Sequence, residues 1–140
     1  MKLVAKLLLA IAAAVVATNV AVAETSYLLF DDDDELHGCI NCNSFNSQSI
    51  CNEFGRFGSE FSSASIWNDF GTVGSEYSAA SPWNDFGKGL KVVDGAGRYY
   101  GRLTMNIGVS DRIDAFDPWF KAYKALKKPE LVRKLICDGT

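Results

Sequence analysis

Four cysteines, one histidine and a run of carboxylates are the side chains with chemistry to offer in this chain. Cys39, Cys42, Cys51 and Cys137 make an even set, and Cys39 and Cys42 stand at the C-x-x-C spacing shared by redox pairs and zinc sites. A redox pair of the thioredoxin kind sits at a helix N-terminus after a strand, and no helical pattern follows Cys42. If both cysteines lie on one extended strand, their Cα atoms are about 10 Å apart and their side chains face opposite ways, beyond the roughly 7 Å reach of a disulfide. We therefore expect Cys42 to bridge to Cys51 and Cys39 to Cys137, with the converse assignment of Cys39 and Cys42 open. The alternative is a thiol-redox or structural zinc role for Cys39 and Cys42.

The other candidates are thinner. Asp31, Asp33 and Glu35 offer hard oxygen ligands to a cation. Leu36, however, stands where the calcium loop of a helix-loop-helix needs glycine, so a solvated acidic turn is the plainer expectation. His37 is the sole histidine, and nothing places it with a serine and an aspartate as a hydrolytic triad. Gly95-Ala-Gly97 lacks the lysine and the following helix of a phosphate loop, and no nucleic-acid-binding motif accompanies the basic C-terminal residues. No catalytic residue and no cofactor are expected from this inventory.

The elements that must position these side chains are announced by repetition. Ser49-Ile-Cys-Asn-Glu-Phe-Gly55, Ser65-Ile-Trp-Asn-Asp-Phe-Gly71 and Ser81-Pro-Trp-Asn-Asp-Phe-Gly87 recur every 16 residues across 49–94. Each copy predicts a compact turn capped by its serine and ended by glycine, followed by a second glycine bend. Phe54, Phe61, Trp67, Phe70, Tyr77, Trp83 and Phe86 recur with the units, and we expect them to form a packed aromatic spine.

A second duplication flanks the first. Residues 28–43 align without a gap on 91–106, matching Asp31 to Asp94, Gly38 to Gly101 and Asn43 to Asn106. Each copy predicts a β-hairpin, with Leu36, Gly38, Ile40 and Cys42 on one face of the first and Tyr99, Gly101, Leu103 and Met105 as the inner set of the second. Residues 117–137 then predict short basic amphipathic helices. Asp117-Pro118 reads as a cap and first-turn proline, Trp119, Phe120, Tyr123 and Leu126 fall at helical spacing, and Leu131, Val132, Leu135 and Ile136 follow beyond Pro129. The fold class is α+β: a small antiparallel sheet of two duplicated hairpins, the 16-residue turn repeats between them, and helices at the end.

Charge is unevenly divided. Residues 24–87 carry eleven acids against one base, Arg56, whereas residues 88–140 carry eleven bases against six acids. The two halves either dock on one another or leave the basic tail for an anionic envelope surface. At the N-terminus, Lys2 and Lys6 precede an apolar stretch from Leu7 to Val16, and Ala21-Val-Ala23 supplies the small residues a signal peptidase reads. We expect residues 1–23 to be a removed signal peptide, residues 24–140 to be one domain, and the protein to be periplasmic or secreted, with no transmembrane segment after processing.

The combination of Leu36-His-Gly-Cys-Ile-Asn-Cys-Asn43, the repeated Ser-Ile-x-Asn-x-Phe-Gly-x-x-Gly-Ser-x-Phe/Tyr-Ser unit and Gly101-Arg-Leu-Thr-Met-Asn106 resembles a group of small exported bacterial proteins. The likeness covers residues 28–106, with Leu90 in place of the second glycine of the third repeat. It implies export and this architecture, and brings with it no catalytic residue. The function expected is that of an exported, non-catalytic binding or structural module.

Overall fold

A computed structural model describes residues 23–138, so the expected signal peptide lies almost wholly outside the described residues. Four strands, β1 (Tyr27–Phe30), β2 (Leu36–Cys39), β3 (Leu90–Asp94) and β4 (Tyr99–Leu103), form one antiparallel sheet in the order β2-β1-β3-β4. Two hairpins are thus joined through their first strands, by β1 on β3. Leu29, Val92, Leu90 and Leu103 alternate onto the inner face and are buried. Lys91 and Arg102 face outward from the same strands, reaching Asp34 at 2.6 Å and Asp32 at 2.8 Å. The acidic turn of the first hairpin is therefore partly neutralised by the second.

The duplication runs further than the sequence comparison placed it. Cys39 N–H donates to the Gln48 carbonyl and Ile50 N–H to that of Cys39; likewise Arg102 N–H donates to Asp111 and Ile113 N–H to Arg102. Every residue of the second set lies 63 positions after its counterpart. The glycines on the outer strands correspond as well. Gly38 and Gly101 hold φ of 120° and 126°, and a Cβ there would come within 2.6 Å of Ile50 and 2.5 Å of the Asp111 carbonyl oxygen respectively. Only glycine admits the returning segment at that distance. Inner-face alternation is broken at both ends of the hairpins: His37 is buried beside Gly38, and Tyr99 of the expected inner set is exposed, next to a register shift at Val92/Val93.

Between the hairpins the chain is a spiral of consecutive turns. Hydrogen bonds run from Asn46 N–H to the Asn43 carbonyl, Ser49 to Asn46, Asn52 to Ser49, and on at three- or four-residue steps to Gly87 on Asn84. At most steps the Ser or Asn that opens the turn also accepts, through its side chain, the N–H two residues on, as in Trp67 N–H to Ser65 Oγ at 3.1 Å and Phe70 N–H to Asn68 Oδ1 at 3.0 Å. This local satisfaction is why Ser and Asn dominate the repeats.

Successive units are laced by side chains at fixed positions. Trp67 Nε1–H donates to the Ile50 carbonyl and Trp83 Nε1–H to that of Ile66, both at 2.6 Å. Asn52, Asn68 and Asn84 donate through Nδ2 to the carbonyls of Asn46, Ser62 and Ser78, each six residues back.

The C-terminal segment closes the indole column. A 3₁₀ turn (Asp114–Phe116) leads into α1 (Asp117–Leu126), then α2 (Pro129–Arg133) and a π-helical turn, Lys134–Asp138. Asp117 does not cap α1 as expected; the cap position is Phe116, which offers no side-chain acceptor, and Asp117 instead pairs with Arg112. Tyr123 stacks on Trp83 with centroids 4.9 Å apart, and Phe120 and Trp119 meet Trp83 and Trp67 at 6.1 Å.

Candidate functional site

The cysteines pair differently from expectation. Cys39 bridges Cys42, and Cys51 bridges Cys137, so neither Cys42–Cys51 nor Cys39–Cys137 forms, nor the converse assignment. The assumption that failed is a strand continuing through Cys42. β2 stops at Cys39, and the bend after it brings the Cα atoms of Cys39 and Cys42 to 5.5 Å. Cys51 occupies the unit position held by Trp67 and Trp83 in the next two copies. Its bridge to Cys137 ties the first unit to the C-terminal segment, as the indoles tie the others.

Of the metal candidates, Asp31 and Glu35 lie near His37, with one donor atom from each of the three within 4.8 Å of one another, while exposed Asp33 does not join them. Asp31 is already employed. Its Oδ1 accepts the N–H of Asp33 and Glu35, and its Oδ2 lies 2.9 Å from His37 Nε2. The second hairpin repeats this lock with a tyrosine in the place of the histidine: Asp94 Oδ1 accepts Ala96 and Arg98 N–H, and the Tyr100 hydroxyl donates to Oδ2 at 2.8 Å. An Nε2–H donated to Asp31 is the counterpart of that hydroxyl. Burial works to raise the pKa of Asp31, and the hydrogen bonds from His37, Glu35 and Asp33 outweigh it, leaving Asp31 below its usual 3.8. Asp94 is lowered chiefly by the Arg98 N–H, then by Tyr100. The cluster is thus one of two equivalent hairpin clasps.

The aromatic spine divides into two populations. Trp67 and Trp83 are buried, but Phe54, Phe61, Phe70, Tyr77 and Phe86, together with Phe45, are 85–94% exposed. Sequence position separates the classes. The indoles follow Ile66 and Pro82, whereas each exposed ring except Phe45 follows a carboxylate: Glu53, Glu60, Asp69, Glu76 or Asp85. Phe45, Phe61 and Tyr77 recur at 16 residues, as do Phe54, Phe70 and Phe86, so two columns of rings stand along the spiral. Phe45 belongs to a half-unit starting at Asn43 that the sequence comparison missed; its mark is Asn43-x-x-Asn46, which repeats the turn steps downstream.

Paired rings wall a recurring cleft. Where the second unit meets the third, Tyr77 and Phe86 flank about 440 Å³ floored by Trp83 and Asn84 and lined by Glu76 and Asp85. Where the half-unit at Asn43 meets the first unit, Phe45 and Phe54 flank about 370 Å³ over Cys51 and Asn52, with Glu53 beside them. A third hollow, about 560 Å³, lies between Phe54 and Phe61 and carries Glu53 and Glu60 against Arg133 and Lys134. The carboxylates are crowded. Burial raises the pKa of Asp69, and Glu130 and Glu76 raise it further against the opposing charge of Lys128. Tyr123 is pushed up to about 12, by burial first and then by Glu76 and Asp69. Like-charge crowding of this kind is relieved by a cation. Among the described residues no helix is long and apolar enough to cross a membrane. Comparison with known proteins was negative throughout: no protein-family model, curated protein or solved structure matches the chain.

Proposed function

We propose that the protein is an exported, non-catalytic binding module whose spiral of turns displays an acid-and-aromatic face to a cationic partner. The observation that carries this reading is the pair of exposed columns, Phe45, Phe61 and Tyr77 beside Phe54, Phe70 and Phe86. Six rings in water at regular spacing are costly to maintain for folding alone, and exposed apolar surface on this scale marks an interaction site. Ring faces carry negative potential, so the carboxylate that precedes every ring but Phe45 adds a full charge to a surface already suited to ammonium or guanidinium groups. The two disulfides and the N-terminal pattern of basic, apolar and small residues support export.

Retention of the processed protein on immobilised poly-L-lysine, a neutral polysaccharide and poly-L-glutamate tests the reading. Retention on polylysine alone, weakening as salt rises, is expected. Net charge by itself also attracts an acidic protein to polylysine, so the deciding variant keeps every charge. Phe54→Ser, Phe70→Ser and Phe86→Ser together should weaken retention at least tenfold while melting as the parent does. Equal retention by that variant, or preference for the polysaccharide, overturns the proposal.

A further inference from the structure

We infer that the cationic partner is a second copy of this chain, whose lysine-bearing C-terminal helices dock on the acid-and-aromatic columns; this identification rests on the binding face proposed above. The complementary surface is on the same molecule. Lys121, Lys124, Lys127, Lys128 and Lys134 are all exposed. None of the five forms an ion pair among the described residues, whereas Lys91, Arg102, Arg112 and Arg133 each do. Leu126 and Leu135 stand exposed among them, giving the lysine face apolar contacts for the rings.

Among the described residues no carboxylate of the columns forms an ion pair with these lysines. Lys128 is near enough to oppose the crowding at Asp69, yet it makes no ion pair with it. The basic face and the acidic face adjoin at the hollow lined by Phe54, Phe61, Glu130 and Lys134. Two complementary patches whose charges adjoin without pairing within one molecule can pair between copies in a head-to-tail contact, which propagates as an open chain of copies unless its rotation closes a ring.

Sedimentation velocity on the full processed, disulfide-bonded protein reads this directly. At low salt the weight-average mass should climb past that of a dimer as concentration rises toward the millimolar range, and fall back to monomer at high salt. Two surface variants separate the faces. One carries Asp69→Asn, Glu76→Gln and Asp85→Asn; the other carries Lys121→Gln, Lys124→Gln and Lys128→Gln. Each alone should remain monomeric, and an equimolar mixture should stop at one-to-one dimers, because each partner has one working face. A parent that stays monomeric at low salt, or single-face variants that still assemble, overturns the inference. If that monomeric parent binds polylysine through its rings, the binding face stands and only the identity of the partner fails; loss of both removes the face itself.

Discussion

Asp31 and Asp94 do the same work in two hairpins, and their titration gives the residue scale its clearest reading. Each carboxylate accepts two backbone N–H groups and one side-chain donor, and each has its pKa lowered from 3.8. A lowered folded pKa contributes stability that is complete above the unfolded value and is lost as pH falls through the folded one. Chemical denaturation at a series of pH values should therefore show the parent weakening below about pH 4, in the range where these groups take up protons. The double variant Asp31→Asn and Asp94→Asn should be less stable at pH 7 and nearly flat across the acid range. An acid arm as steep as the parent's would show that other groups govern it. Backbone contact at Gly58 sets a second residue-level expectation. A Cβ there would lie 2.0 Å from the Asn52 carbonyl oxygen, whereas at Gly95 it would meet nothing within 4 Å. Gly58→Ala should cost about 1–3 kcal/mol or more by overpacking, and Gly95→Ala should stay within about 0.5 kcal/mol, as measured by urea midpoints.

At the scale of elements, the two disulfides have different weight. Cys51–Cys137 closes a separation of 86 residues, and Cys39–Cys42 one of 3. Loop-closure entropy assigns the long bridge about 4–5 kcal/mol and the short one much less. Replacing Cys51 and Cys137 by serine should lower the denaturation midpoint far more than replacing Cys39 and Cys42; the reverse order would mean that the hairpin bend, rather than the C-terminal attachment, depends on a covalent tie. The sequence made the elements legible because their signals are local. Gly and Asp at hairpin turns, Ser and Asn at every turn step, and Pro118 and Pro129 beside the helix starts act within a few residues. What it concealed depends on where elements end and what covers them. A strand stopping at Cys39 instead of Cys42 reverses the disulfide assignment. Recurrence with the units predicts burial for Phe54 and Phe70 as for the indoles, but the acid preceding each of these rings and the Ile or Pro preceding each indole tell the outward side from the inward one. Asp117 looked like a cap because of Pro118, but its carboxylate is taken by Arg112, a partner set by the second hairpin.

For the molecule as a whole, the open question is whether the turn spiral is a solenoid whose units can be removed or a span fixed at both ends. Locally, excision of Ser65–Ala80 looks harmless. Trp83 would inherit the Ile50 carbonyl that Trp67 now uses, and Asn84 would inherit that of Ser62. In an array of independent repeats, stability would fall by roughly one unit and one interface. Here the ends are not independent. The first unit is bonded to β2 through Cys39 and Ile50, and the third to the segment after β4 through Met105 N–H on the Pro82 carbonyl and Asn106 Nδ2–H on that of Gly87. The pairing of β1 with β3 fixes how far apart those two attachments lie. A spiral shortened by one unit cannot reach both while the sheet stays whole, and the indole column loses its contact between Trp67 and Trp119 as well. The chain lacking 65–80 should therefore lose its single cooperative thermal transition and the hydrogen-exchange protection of β3 and β4, with the Cys51–Cys137 bridge formed poorly. A cooperative melt close to that of the parent would mean that the units behave as a true solenoid and that the sheet adapts to their number.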